Sequence, residues 1–476
     1  MLRFQFSAGL IVLALFSILG GCISPLDSIE SDVQRLSDFT SRLDSENAAQ
    51  MRARGFIAKR ASNQAEITES SSLSVCLQYA LNNNAQIEAA FYRWNAALEK
   101  VPQVTTLPDP RLTYGYFLNE VETRVGPQQH RVSVGQMFPW FGKLELKGDI
   151  AAEAADAEFQ RFQAASLMLI WQVKQAYYEL YYLRSAVSIT QENLQLLSQF
   201  ERIASAKYRV AAASHPDLIR IQVQLGKLED RLKQLKDLRH PLAAKLNAAM
   251  NRPSHALAPW PENIDDEDIT LDEDKLRAAL VRDNPQLSAL AHEIEKQRHA
   301  MKLARKSAYP DVTVMADYIL TGQAMNSSIA ESGDDAFIAA ISINLPIWND
   351  KYEAEVRQAV NRRLATASQK QHQENLLLAE LERAMYDYRD ARRKITLYRE
   401  TLIPKARESL TSTLRSYETA KSSFLDLLDT ERELLEFELV QRRAKSDAAI
   451  ALAKIEMFIA GPVDGSAIST EMEDDR

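Results

Sequence analysis

The chain has 476 residues and a net charge of −8, with only 14 glycines and 16 prolines to interrupt it. Its length allows two or three ordinary domains, and long runs of Ala, Leu, Gln, Glu, Lys and Arg favour long helices. Both charge signs are mixed along those runs with no basic block, which argues against a nucleic-acid partner.

Residues 1–22 read as an export signal: Arg3 is the positive start, residues 10–19 are apolar, and Leu19-Gly20-Gly21-Cys22 closes the segment. The apolar run is too short for a comfortable membrane span. Leu-Gly-Gly-Cys resembles a bacterial lipobox, which implies that Cys22 becomes the lipidated first residue of the mature protein. Ile23 stands where many inner-membrane lipoproteins carry aspartate, so the resemblance favours an outer-membrane anchor. Residues 23–70 read as an extended N-terminal arm. The other cysteine, Cys76, sits among Leu73, Leu77, Ala80 and Leu81 and reads as a small buried residue.

The first repeat, residues 71–250, opens with a helix from Ser72 to about Val101, broken at Leu107-Pro108-Asp109-Pro110. Leu112, Tyr114, Tyr116 and Leu118 then alternate with Arg111, Thr113 and Gly115, which predicts a strand over about 111–118. A second strand, about 130–138, sets Val132, Val134 and Phe138 against Arg131, Ser133 and Gly135. After Pro139 a proline-free run from Lys143 to about Tyr208 carries apolar residues at steps of three, four or seven. As one helix it would be roughly 100 Å long. A hairpin tip follows at about 209–216, then a returning helix to about Met250 and an acidic, proline-rich linker over 251–275.

The second repeat, residues 276–461, runs through the same series, with strands at about 311–320 and 336–345 and a tip at about 418–425. Pro108/Pro310, Pro139/Pro346 and Asp217/Asp426 are offset by about 202 to 209 residues, which indicates an internal duplication. At the tips, Ser214 and Ser423 read as N-caps, each with an aspartate three residues on to complete a capping box. The acidic tail, 462–476, reads as disordered. The chain shows no HExxH pair, zinc-spaced cluster, phosphate loop or nucleophile–base set, so no enzyme, cofactor or metal site is expected.

Strands of this length suit tilted transmembrane strands, and Trp140, Phe141, Tyr309 and Trp348 gather near their ends as an interfacial girdle would. Four strands cannot close a barrel, and open edges are not tolerated in hydrocarbon. The expected fold is therefore mainly α with a transmembrane β-barrel portion shared by a homotrimer: twelve strands and about twelve long helices. Two soluble hairpins packed on helices are the plainer alternative.

The paired tips (Tyr208 with Asp217-Leu218; Tyr417 with Leu425-Asp426-Leu427-Leu428-Asp429), the Pro-Asp strand starts and the turns at Pro139 and Pro346 together resemble the outer membrane efflux protein (TolC-like) family, over about residues 70–460. The resemblance implies a trimer in the outer membrane that extends into the periplasm. It would dock with a periplasmic adaptor (membrane fusion) protein and an inner-membrane RND-type or other transporter. Asp426 and Asp429 match the family's aspartate rings, and Asp217 and Tyr417 match members of its closing network. Ser422 stands where that network has an arginine. As residues, Asp217 and Asp426 also serve as helix caps. Leu218, Leu427 and Leu428 are candidates for adaptor contact or for the coiled-coil seam. Leu107-Pro108-Asp109-Pro110 and residues 137–143 look like the heavy-metal cation subgroup, ahead of drug efflux and then type I protein secretion. A non-channel periplasmic coiled-coil or adaptor lipoprotein is the competing class; an adaptor would carry one hairpin, where this chain has two.

Overall fold

The computed structural model describes residues 66–210, 213–266, 268–325, 330–419 and 421–463. The export signal with Cys22, nearly all of the arm and the acidic tail lie outside the described residues. Where one helix is expected from Ser72 to Val101, three short ones form: α1 (Leu73–Asn83), α2 (Ala85–Leu98) and α3 (Lys100–Thr105). The break comes from Asn84, whose backbone is extended and whose side chain accepts from the Gln86 and Ile87 amides to start α2. The second repeat copies the device. Asp272 caps α6 (Glu273–Asp283), which therefore begins inside the stretch expected as linker, and Asn284 caps α7 (Pro285–Lys306). Each asparagine also donates across its repeat, Asn84 to the Ala249 carbonyl and Asn284 to the Phe458 carbonyl. The duplication is thus preserved down to single hydrogen bonds.

Four antiparallel strands form one sheet in the order β1 (Arg111–Thr123), β2 (Gly126–Phe138), β3 (Val312–Thr321) and β4 (Ala336–Ile343). The first hairpin is longer than expected at 111–118 and 130–138. Gly126, at φ +134, lets the chain reverse within a few residues, and an irregularity between Tyr116 and Val121 takes up the mismatch in register. An added Cβ at Gly126 would lie 1.8 Å from the Gly322 carbonyl oxygen, so no other residue fits there. β4 stops at Ile343 rather than 345, because Asn344 turns to the Asp311 amide and Leu345-Pro346 cannot extend the ladder.

α4 (Lys143–Arg209) is the expected uninterrupted rod of 67 residues and α5 (His215–Ala249) returns beside it. The second rod differs. α8 (Asn349–Leu397) passes through a π-turn (Tyr398–Leu402) into α9 (Ile403–Glu418), and α10 (Phe424–Ile459) returns. Pro404 has no amide to donate one turn back, and the extra residue of a π-turn accommodates that lost bond.

One apolar core joins α6–α8 to α10 through Leu280, Leu287, Leu381, Met385 and Ile455. A second fills the tip, where Leu197, Phe200, Ile221, Leu410, Phe424 and Leu427 meet. The buried pair Lys174–Glu456, at 2.5 Å, ties α4 to α10. Cys76 is fully buried, and burial pushes its thiol up to about 11. Among the described residues no helix is long and apolar enough to cross a membrane.

Candidate functional site

The sheet has two unlike faces. Register places Leu112, Tyr114 and Tyr116 beside Val134, Val132 and His130, and continues the row through Val314, Ala316 and Tyr318 to Ile341, Ala339 and Phe337. Most of these large side chains are exposed, Leu112 and Phe337 to about 70% (71% and 69%). The opposite face carries Thr113, Gly115, Ser133, Thr313 and an ion pair, Arg131 to Asp317 at 2.9 Å, interspersed with Met137, Met315, Ile319 and Ile338. Among the described residues, β1 and β4 each leave one edge without a partner. Trp140 stacks on Tyr309 at 5.6 Å at one end of the strands, where Phe141 and Trp348 are exposed.

At the other end of the long helices the two tips meet. Ser423 and Asp426 form the full capping box: the Asp426 amide donates to the Ser423 hydroxyl at 3.2 Å, and the Ser423 amide donates to the Asp426 carboxylate at 3.0 Å. The Ser423 hydroxyl and amide hold the Asp426 carboxyl below its ordinary range. The first tip departs from the expected box. Asp217 accepts from the Ser214 hydroxyl at 2.6 Å and leans toward Arg220 at 3.6 Å, so it makes no return bond to the Ser214 amide. Asp429 occupies the position of Arg220 in the second copy, one turn after Asp426 on the same exposed face, with Arg432 3.4 Å away.

Tyr417 and Asp217 lie close enough that burial and then the Asp217 charge raise the Tyr417 phenol above its usual value. No hydrogen bond joins them, and among the described residues the buried Tyr417 hydroxyl has no partner. Ser422, in the place of the family's arginine, bonds only locally, to Asp426 at 3.2 Å and the Ser423 carbonyl. The cation at this tip is Lys207 of α4. Its ammonium donates to the Tyr417 carbonyl and, at 3.0 Å, to the Glu418 carbonyl, and sits 4.5 Å from the centre of the Tyr417 ring. Lys207 thereby caps the end of α9 and binds the two hairpins together. Its role was not legible in the sequence, because the contact spans 210 residues.

Leu427 and Leu428 are buried in the tip core of their own chain, and Leu218 packs partly against it. The apolar side chains presented at the tips are Val210, Ile219 and Leu425. Two further groups emerge only from folding. Glu431 is buried between α10 and α4. Glu153, Asp156 and His292 bring one ligand atom each to within 4.8 Å, across α4 and α7. That trio has the oxygen and imidazole donors a divalent cation accepts, although His292 and Glu153 already bond each other at 2.9 Å.

The outer membrane efflux protein family matches residues 76–252 and 276–461, covering both repeats. Nodulation protein T of Rhizobium leguminosarum bv. trifolii is 21% identical over 381 residues, 76% of this chain and 79% of that protein. The solved structure of CusC superposes with a TM-score of 0.71 at 13% identity, over 85% of this chain and 96% of its own. The open outer membrane channel MtrE of Neisseria gonorrhoeae gives 0.66 at 18% identity, over 84% and 94%. With its duplicated strand pairs, long helices and four-strand sheet, the chain belongs to the outer membrane efflux protein family, whose members are non-enzymatic transport proteins.

Proposed function

We propose that three copies of this chain join their sheets edge to edge into one twelve-strand barrel and range their helical hairpins into a tunnel. The product is a passive exit duct across the periplasm and outer membrane, supplied by a periplasmic adaptor and an inner-membrane pump of the RND or another type. One observation carries the reading: a sheet with one predominantly apolar, exposed face and, among the described residues, two unpaired edges. Such a sheet is stable in lipid only when its edges are closed by other strands. The polar face, with Arg131 and Asp317, then lines the lumen. In this reading Asp426, Asp429, Asp217, Tyr417 and Lys207 form the periplasmic gate, and Cys22 carries the lipid. Heat-modifiable trimers extracted from outer-membrane fractions are the expected result. A soluble monomer after cleavage of the lipid anchor would overturn the duct and favour a coiled-coil lipoprotein.

The lean to heavy-metal cations over drugs, with type I protein secretion third, rests on residues 107–110 and 137–143. Deleting the gene and scoring sensitivity to metal salts and to drugs side by side separates these substrates.

A further inference from the structure

About two turns into α10, Glu431 is fully buried and, among the described residues, neither of its carboxyl oxygens has a hydrogen-bond partner. The polar side chain that faces it is Asn193 of α4, itself buried, whose amide oxygen is also unpartnered. Thr190, one turn away on α4, is fully buried with an unpartnered hydroxyl. A carboxyl and a carboxamide oxygen left without hydrogen-bond partners in an apolar seam are costly as they stand, and an ionised carboxylate there is costlier still. One proton on the carboxyl turns the same pair into a donor and an acceptor.

We infer that Glu431 is a proton-binding site in the seam between the first and second hairpins. As a neutral acid it bonds Asn193 and keeps α10 against α4; once ionised, it drives the seam apart and releases the tip. This rests on the duct reading, in which α9 and α10 move to open the periplasmic end.

The surroundings support a site tuned to be neutral. Arg432, its neighbour on α10, is the charged group whose field reaches Glu431. From α5 and α9 the nearby core residues are Ile221, Leu228, Leu410 and the phenol of Tyr417. Farther along the bundle, Arg231 of α5 pairs with Glu436 at 3.2 Å and Arg407 of α9 with Glu438 at 2.7 Å. Burial is the largest influence and pushes the Glu431 carboxyl up to about 7, with Asn193 and Arg432 pulling the other way. In an opened, hydrated seam the carboxyl returns to about 4.3. The packed form binds the proton more tightly, so packing is undiminished below about pH 4.3 and loses ground as pH rises to 7. Above 7 both forms are ionised and the loss levels off. Within that window the open-to-packed ratio rises by up to about tenfold per pH unit.

The test is conductance of the full-length trimer in planar bilayers from pH 5 to 8, with amide exchange of residues 424–435, corrected for the intrinsic rate, as a second readout. The expected result is that both opening and exchange rise toward pH 7 and then flatten, and that Glu431→Gln holds both at the acid level throughout. A Glu431→Gln trimer that conducts with the wild-type pH dependence would overturn the proton site and leave the duct standing. Protein that never conducts, yet loses its pH-dependent exchange on Glu431→Gln, would overturn the duct and support the proton site.

Discussion

The Lys143 ammonium lies 2.8 Å from the Asp311 carboxylate, pinning the strand-to-helix turn of the first repeat to the Pro-Asp start of β3. Asp311 also accepts from the Trp140 amide, and Lys143 donates to the Tyr309 carbonyl, each at 2.8 Å. Gly142, at φ +76, makes the turn possible; a side chain there would strike the Lys306 ammonium.

The duplication places Asp109 before β1 and, one residue past the position matching Lys143, Lys351 after β4, beside the two outer strands of the sheet. In the proposed trimer, Asp109 of one subunit meets Lys351 of the next. Lys351→Asp is expected to weaken SDS-resistant trimers, and adding Asp109→Lys to restore them. A double variant no better than the single one would remove this contact.

Lys207 satisfies the last carbonyls of α9 and lies over Tyr417. A cation so placed stabilises a helix end by up to about 2 kcal/mol. Lys207→Ala is therefore expected to raise resting conductance in planar bilayers with little change in trimer yield. Lys207→Arg should retain most of the closure, and equal leakage in both variants would show that the ammonium contacts do not hold the tip.

Asp426 is committed to capping α10, whereas Asp429 is exposed and lies beyond the cap. Threefold symmetry would stack both as carboxylate rings that attract cations. Asp429→Ala should reduce the cation-to-anion permeability ratio while leaving helix content unchanged. An unaltered ratio would take Asp429 out of the gate.

Leu427 is fully buried and Leu425 is 46% exposed, two residues apart on the same helix. Leu427→Ala is expected to destabilise the fold by about 2–5 kcal/mol, read as a lower midpoint in thermal unfolding. Leu425→Ala and Ile219→Ala should change stability by no more than about 0.5 kcal/mol but weaken adaptor binding in a pull-down with a periplasmic adaptor protein. Weakened binding from Leu427→Ala in protein shown to be folded would contradict this division.

Much of this protein is periodic, and periodicity is local. Alternation from Leu112 to Leu118 and from Val312 to Leu320 marks strands, the heptad-like run of α4 marks a rod, and the constant offset of the repeats marks the duplication. Those patterns by themselves determined the element types and the alternation that sets the two faces of the sheet apart. Tertiary structure decided which leucines of the tip are buried, since Leu218, Leu425, Leu427 and Leu428 all satisfy a seam pattern and only packing against α4 and α9 separates them. It also decided the polar contacts: Lys207 reaches a carbonyl 210 residues away, Lys143 an aspartate 168 residues away, and Glu431 faces Asn193 across two hairpins. Backbone hydrogen bonding within a helix repeats every few residues and so leaves its mark in the sequence. An ion pair or a buried carboxyl depends on which faces of distant helices meet, and no short-range pattern encodes that.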